Sequence, residues 1–451
     1  MSAPKYLAIV KKIEEFIRSG QFAEGSQLPT HRELAQQMGT TAITVAKAYK
    51  ALAEKKLIES FVGRGSFVCN HSQLSDVIRA ESLEQEYNLS ILQPCIYQHT
   101  EQLNQAFSQI LNRGNDALYG YVEHTGLTRH RALGAVWAHH YGLDVSGHEQ
   151  IVLACGAQHA LSVLIQCYTQ PGDTIAVEDL TYPGILSIAN MLGRNVVGIP
   201  MDQQGMLPQS LNELCQSMRI AMVIIVPSYQ NPTAATMPME RRQQIAAVVN
   251  EHQLWLVEDD IYGFLNPQPI PAITNLAPDF GFHITSLSKA ISPGMRCAFI
   301  KTPVQESERL SAFIRATIWL PSPLPFAVAA TLIQSGEAFR IAEQQREIAI
   351  RRQCLAREWL ADYQLLSQPD SYHLWLILPE EWQADAFTLA AKNRGILVSS
   401  ASYFKADPRA PTPNAIRLSL MAINDESSLI VALRQLAELL KRDIRFDYTY
   451  F

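Results

Sequence analysis

Between residues 151 and 300, six short apolar runs recur at intervals long enough to hold a helix: 151–154, 174–177, 221–226, 254–257, 283–285 and 297–300. Few folds accept that pattern. Runs of three to six residues rich in Val and Ile, with little polar alternation, read as strands buried on both faces. Helix-length segments between them make crossover connections, so the sheet is α/β and largely parallel. In such a sheet, functional groups gather at the strand ends and in the loops that follow. Further on, residues 372–378, 395–398 and 415–420 alternate as strands of a smaller α/β domain.

The chemistry sits where that architecture predicts. The segment Ile284-Thr-Ser-Leu-Ser-Lys-Ala-Ile-Ser-Pro-Gly-Met-Arg296 places a lysine among small hydroxyl residues, with an arginine seven positions on. A desolvated lysine forms a Schiff base with a carbonyl. Ser286, Ser288 and Arg296 can then hold a phosphate, the arginine as a planar fork of donors. A lone Ser-x-x-Lys reads more simply as a polar loop, but four other stretches supply the rest of a pyridoxal-phosphate site in order. Gly156-Ala157-Gln158 opens a helix after the first strand, and helix N-terminal amides bind phosphate. Tyr182, in a Pro-Gly turn, offers a flat face to an aromatic ring. Asn231 can hydrogen-bond a phenolic oxygen, and so can Tyr262. Asp259 ends a strand, where a carboxylate can pair with a protonated ring nitrogen and keep the ring an electron sink. Metal binding is the competing reading of Glu258-Asp259-Asp260; strand alternation, which turns neighbours to opposite faces, argues for no metal. Arg417 interrupts an apolar strand. A buried arginine needs a partner, either a structural carboxylate or the α-carboxylate of a ligand.

The first seventy residues have another character. Tyr6, Ile9, Val10, Ile13, Phe16 and Ile17 recur at helical spacing, and Gly20 stops the helix. Thr30 with Glu33 has capping-box spacing, with Leu34, Ala35 and Met38 as the inner face of a short helix that Gly39 ends. A second helix from Thr40-Thr41 buries Val45, Ala48, Tyr49 and Leu52. Residues 60–68 alternate around a Gly63-Arg64-Gly65 tip, a two-stranded wing. The order is helix-turn-helix plus wing. A helical cap used only for dimerisation is the plainer alternative.

Charge agrees with a nucleic-acid partner at this end. Residues 1–69 carry ten Lys and Arg against six Asp and Glu, and the remainder 27 against 37. The seven cysteines are scattered, with no Cys-x-x-Cys pair, which points to a reducing compartment and away from a disulfide or zinc framework. The start lacks a signal peptide's apolar region, and no apolar run nears the ~20 residues of a membrane span. We expect a cytoplasmic protein.

Two resemblances cover the chain. The head resembles a GntR-type winged helix in Leu28-Pro29, Arg32-Glu-Leu-Ala35, Thr44-Val45, Ala48-Tyr49 and Gly63-Arg-Gly-Ser-Phe-Val68. By that resemblance Arg32, Thr41, Thr44, Lys47, Arg64 and Gly65 contact DNA. Ala42 stands where the family often has arginine, which weakens direct reading of guanine from that position. Residues 90–440 resemble a fold-type I aminotransferase of class I/II. That resemblance implies pyridoxal 5'-phosphate bound to Lys289, with Asp259 on the ring nitrogen, Tyr262 and Asn231 on the phenolic oxygen, and Tyr182 on the ring face. Ala157, Gln158, Ser286, Ser288 and Arg296 would bind the phosphate, and Arg417 the ligand carboxylate. Tyr121 matches a tyrosine that reaches the neighbouring subunit's phosphate, which implies a homodimer. Ala234 stands where the family usually has glycine.

The fusion resembles the MocR subfamily of GntR regulators. The expected layout is a winged helix at 1–69, a linker at 70–88, a large domain at 89–319 with a mostly parallel seven-stranded sheet, and a small domain at 320–451. The implied function is a transcriptional regulator that binds an operator in double-stranded DNA and senses pyridoxal phosphate, an amino acid or an amine. A working aminotransferase carrying a DNA-binding appendage is the alternative.

Overall fold

The computed structural model describes residues 5–18, 21–22, 26–54, 57–61, 65–68, 86–113, 118–122 and 126–441. The chain divides into two compact units, one of Met1–Asp76 with Pro408–Pro411 and one of Val77–Asp407 with Thr412–Phe451.

In the first unit, α1 (Lys5–Arg18), α2 (His31–Gln37) and α3 (Ala42–Glu54) pack together, followed by a hairpin of β1 (Ile58–Phe61) and β2 (Gly65–Val68). The capping box forms as the spacing predicts. Thr30 N–H donates to Glu33 Oε2 at 2.8 Å, and Glu33 N–H to Thr30 Oγ1 at 3.3 Å. Ile9, Val10, Ile13, Leu34, Ala35, Val45, Ala48, Tyr49 and Leu52 are buried as one core; Tyr6, Phe16, Ile17 and Met38 are half-buried at its edge. Each large aliphatic side chain fully buried here contributes about 1.5–3 kcal/mol. Gly39 takes φ +59 in the turn between α2 and α3. Backbone bonds from Leu28 N–H to Ser66 O and from Val68 N–H to Ser26 O add residues 26–28 beside the hairpin. Of the predicted wing tip, Gly63 and Arg64 lie outside the described residues.

The second unit is built on a seven-stranded sheet. Its strands are β3 (Ile151–Cys155), β4 (Thr174–Glu178), β5 (Asn195–Ile199), β6 (Met222–Ile225), β7 (Trp255–Asp259), β8 (Gly281–Ser286) and β9 (Cys297–Lys301). The order is β3-β9-β8-β7-β6-β4-β5, with β9 antiparallel to both neighbours. The central strands are buried throughout, as their unbroken apolar runs require. A smaller antiparallel sheet contains β10 (Leu365–Leu366), β11 (His373–Ile377), β12 (Ser399–Ser400) and β13 (Ala415–Ser419), in the order β10-β11-β13-β12.

Two features depart from the sequence pattern. The run at 395–398 splits: Ile396–Leu397 pairs in parallel with Tyr87–Asn88, at the end of the expected linker, while Ser399–Ser400 joins the small sheet. The helix Pro323–Gln334, beyond the expected large domain, sets Phe326 edge-on to Phe299 of β9 at 5.7 Å and so shares the large sheet's core. Its sequence, PLPFAVAATLIQ, is apolar on every side, and such a helix must be covered all round.

Candidate functional site

Strand register assembles the site. Cys297 pairs with Cys155, so Arg296, one residue before β9, lands opposite Gly156, one residue after β3. Ser286 pairs with Ala298, and Asp259 with Ile284, which brings the ends of β7 and β8 to the same edge. Distant sequence segments thus meet at the C-terminal ends of the parallel strands.

At one corner lies an anion cradle. Gly156 holds φ +80 at the start of the helix Ala157–Tyr168, where no side chain caps the first amides. A Cβ on Gly156 would stand 2.5 Å from the Arg296 guanidinium, so only glycine admits that side chain. Arg296, itself left-handed at φ +51, is anchored by Nη2 donating to Cys155 O at 3.1 Å. Ser286 Oγ lies 3.0 Å from Cys297 O and 2.9 Å from Ser288 Oγ, so the two hydroxyls buttress each other. Gly184 does for Tyr182 what Gly156 does for Arg296: a Cβ there would meet the Tyr182 ring at 2.3 Å and Gln158 Oε1 at 2.5 Å.

Asp259 is buried, and its Oδ1 has no hydrogen-bond partner. Burial pushes this carboxyl up to about 7, with Asp260 adding and His283 and Lys289 opposing. Its strand neighbours face the other way, as alternation requires. Glu258 accepts the amides of Ile273 and Thr274, both at 3.0 Å, and sits 3.6 Å from Arg242. Asp260 lies 3.7 Å from His283. Ligand atoms of Glu258, Asp260 and His283 converge within 4.8 Å, but the Arg242 guanidinium already supplies the positive charge beside them.

Lys289 Nζ donates to Leu92 O at 2.6 Å. Burial, then Arg417 and Arg296, push its ammonium down to about 8, against the pull of Asp259. Tyr372 OH donates to Lys289 O at 2.9 Å and fixes the backbone there. Arg417 is buried, and among the described residues no carboxylate lies on its fork. Nη1 donates to Asn231 Oδ1 at 2.7 Å, and Nη2 to Ser90 O and, at 3.2 Å, to Ser399 Oγ; Nε has no partner, and the guanidinium lies 5.0 Å from the Phe404 ring centre. Burial lowers its pKa to about 10. Because arginine only donates, it fixes Asn231 with its oxygen toward Arg417 and its NH2 as the donor end. Burial raises both Tyr182, to about 12, and Tyr262; Asp259 and Arg417 act on both rings.

The site residues foreseen in the body therefore converge, with one exception. Tyr121 is 87% exposed and its ring lies 5.4 Å from Trp319. Sequence reasoning missed Ser90 and Leu92, which contribute only backbone carbonyls and so leave no residue-type signal. It read Gly156 as the opening of a phosphate-binding helix, but not as the position whose missing Cβ makes room for Arg296. In the head, Arg32, Thr41 and Lys47 are exposed, Thr44 is half-buried, and Gly65 is exposed at φ +101. Arg64 lies outside the described residues.

Comparison with known proteins gives the family of each unit. Residues 86–436 match the family described as aminotransferase class I and II, and residues 5–68 match the bacterial regulatory proteins of the gntR family. An uncharacterized HTH-type transcriptional regulator of Bacillus subtilis, YdeF, is 30% identical over 433 residues, spanning 93% of this chain and 90% of its own. The chain belongs to the MocR-like group of GntR regulators. The vitamin B6 salvage pathway transcriptional repressor PtsJ of Salmonella typhimurium is 28% identical over 424 residues, covering 92% of this chain and 94% of that one. Among solved structures, the multiple substrate aminotransferase of Thermococcus profundus superposes with a TM-score of 0.75 at 21% identity, covering 83% of this chain and 96% of that one. That likeness establishes the fold of the body. Like its MocR-type relatives, the chain is a transcriptional regulator with an aminotransferase-like body.

Proposed function

We propose that this regulator responds to pyridoxal phosphate, alone or with an amino acid or amine, through Lys289. One observation carries the reading: a buried carboxylate with an unpaired oxygen, a lysine held near pH 8 and an arginine-lined glycine cradle face the same space. The Asp259 oxygen is costly to the fold on its own, since an unpaired buried polar group destabilises by roughly 1–3 kcal/mol. Together the carboxylate, lysine and cradle match the three polar ends of that cofactor. When bound, it supplies an aldehyde that condenses with a primary amine and a ring that draws electrons from the adduct.

The chain's own residues divide the work. Arg296, Ser288 and the first amides of the helix at Ala157 and Gln158 hold the phosphate, with Ser286 bracing Ser288. Asp259 keeps a proton on the ring nitrogen, Tyr182 covers the ring face, and Asn231 and Tyr262 donate to the phenolic oxygen. Arg417 takes an effector carboxylate. Tyr121, exposed beside Trp319, completes the phosphate site of a second copy, so the regulator acts as a homodimer. With no helix long and apolar enough to cross a membrane among the described residues, and DNA as partner, we place it in the cytoplasm.

A strap links the site to the head's connector. Residues 86–95 are the first described after the head; Leu92 O accepts from Lys289 and Ser90 O from Arg417. When these two side chains engage ligands, both carbonyls lose their donors. The strap then changes state, and this reading takes that change as the route by which ligand binding biases DNA affinity.

Arg417 and the lowered Lys289 also favour a second reading, a working transaminase. Single-turnover loss of the cofactor's aldehyde absorbance on adding an amino acid, followed by its return with a keto acid, would establish it. For the principal reading, borohydride reduction after incubation with pyridoxal phosphate traps the adduct on the Lys289 peptide, and Lys289→Ala abolishes the trapped mass. Equal trapping in the variant would overturn the assignment.

A further inference from the structure

The exposed face of α3 carries a side chain that the DNA contacts named so far leave out. Ile43, in the first turn, is 73% exposed. Helical spacing lines it up with Lys47 and Lys50, four and seven residues on, and both are exposed. The opposite face, Val45, Ala48, Tyr49 and Leu52, is packed in the head's core. A single exposed isoleucine on a protein surface is ordinary. This one lies on the partner-facing side of a helix-turn-helix, in line with two cations.

The neighbouring polar groups are already engaged. Thr41 Oγ1 lies 2.8 Å from Thr44 Oγ1 and accepts the Thr44 amide at 3.3 Å, so the two threonines cap the helix and satisfy each other. Ala42 offers no hydrogen bond. The first turn thus presents a branched apolar group, with no arginine, asparagine or glutamine to read a base edge. In the major groove, the apolar feature a side chain can match is the C5-methyl of thymine. Lys47 and Lys50, further along the same line, suit phosphates, which position the helix without reading sequence.

We propose that Ile43 reads thymine methyl groups in the major groove, so that the head recognises an A·T step through apolar contact and not through a guanine edge. The proposal rests on DNA binding by the head.

Selection of the full-length protein on a randomised duplex pool yields a preferred site. Each thymine in that duplex is then replaced by deoxyuridine, which removes only the methyl group, and affinity is read by fluorescence anisotropy. The wild type loses about three- to tenfold at one or two positions, the worth of a buried methyl or two. Ile43→Ala weakens binding to the thymine duplex by a similar factor and is indifferent to uracil at those same positions. Its melting temperature matches the wild type, because the side chain is exposed. Tight, selective binding that ignores every uracil replacement would overturn the role of Ile43, as would an Ile43→Ala variant that keeps the wild type's uracil sensitivity. A wild type that neither enriches a site nor binds the random pool at low salt would instead sink the DNA reading beneath it.

Discussion

In the head, Arg32, Thr41, Lys47 and Ile43 stand in water over an apolar cluster, beside which the Tyr49 hydroxyl donates to Pro29 O at 2.6 Å. In the body, Asp259, Ser286, Ser288, Asn231 and Arg417 are buried in the sheet edge. The contrast follows from what each region is proposed to bind. DNA is a surface, so its contacts cost the free head nothing. A small cofactor is enclosed, so its contacts are polar groups held dry before it arrives. Function in the body therefore shows as stored destabilisation, whereas function in the head shows only as pattern. Substitutions that trade stability against binding in one region and leave stability alone in the other test that distinction.

Asp259→Asn gives the largest expected effect. Losing a charge-assisted bond to the ring nitrogen weakens pyridoxal phosphate about 10- to 100-fold by absorbance titration. The cofactor-free protein becomes more stable by about 1 kcal/mol, because a buried unpaired carboxylate is gone; a melt without cofactor checks this. Lower stability together with unchanged affinity would break the contrast.

Lys289 gives the next. With its amine near 8, the neutral fraction rises about tenfold per pH unit up to that point, so cofactor uptake speeds between pH 6 and 8 and then levels off. The same shift sets stability. The unfolded amine titrates near 10.4, so between about 10 and 8 the unfolded chain holds more protons and stability falls as pH falls. Below 8 the full cost is present. Lys289→Met accordingly raises the cofactor-free melting temperature at pH 7 and leaves it nearly unchanged at pH 10.5.

Arg32→Ala is smaller and opposite in kind. DNA affinity drops several-fold, the slope of log affinity against log salt becomes shallower by about one, and the melting temperature stays put. Smallest is Ala234→Gly. Ala234 sits at φ +61, a left-handed conformation that strains alanine, and glycine's extra freedom in the unfolded chain offsets most of the relief. We expect a change within about 1 kcal/mol and intact cofactor binding.

Much of this was legible from residue order. The capping box at Thr30 and Glu33, the head's core and the opposite facing of Asp259 and its neighbours follow from local periodicity. The strand Asn195–Ile199 did not stand out as a run, because Asn195 and Gly198 interrupt its apolar character and its outer edge is only half-covered. The carbonyls of Ser90 and Leu92 were invisible, since a backbone group has no residue type. Arg417's hold on Asn231 spans 186 positions and depends on how the small sheet meets the large one. Local pattern supplies the parts; long-range register decides which of them touch.

The central claim is that the body's ligand alters the head's grip on DNA. It is tested by the affinity of the full-length chain for a duplex from upstream of its own gene, with and without saturating pyridoxal phosphate, in the wild type and in Lys289→Ala. The account predicts a shift of at least about fivefold in the wild type and none in the variant. Equal affinities in the wild type, with the adduct on Lys289 verified by mass in the same sample, would contradict it.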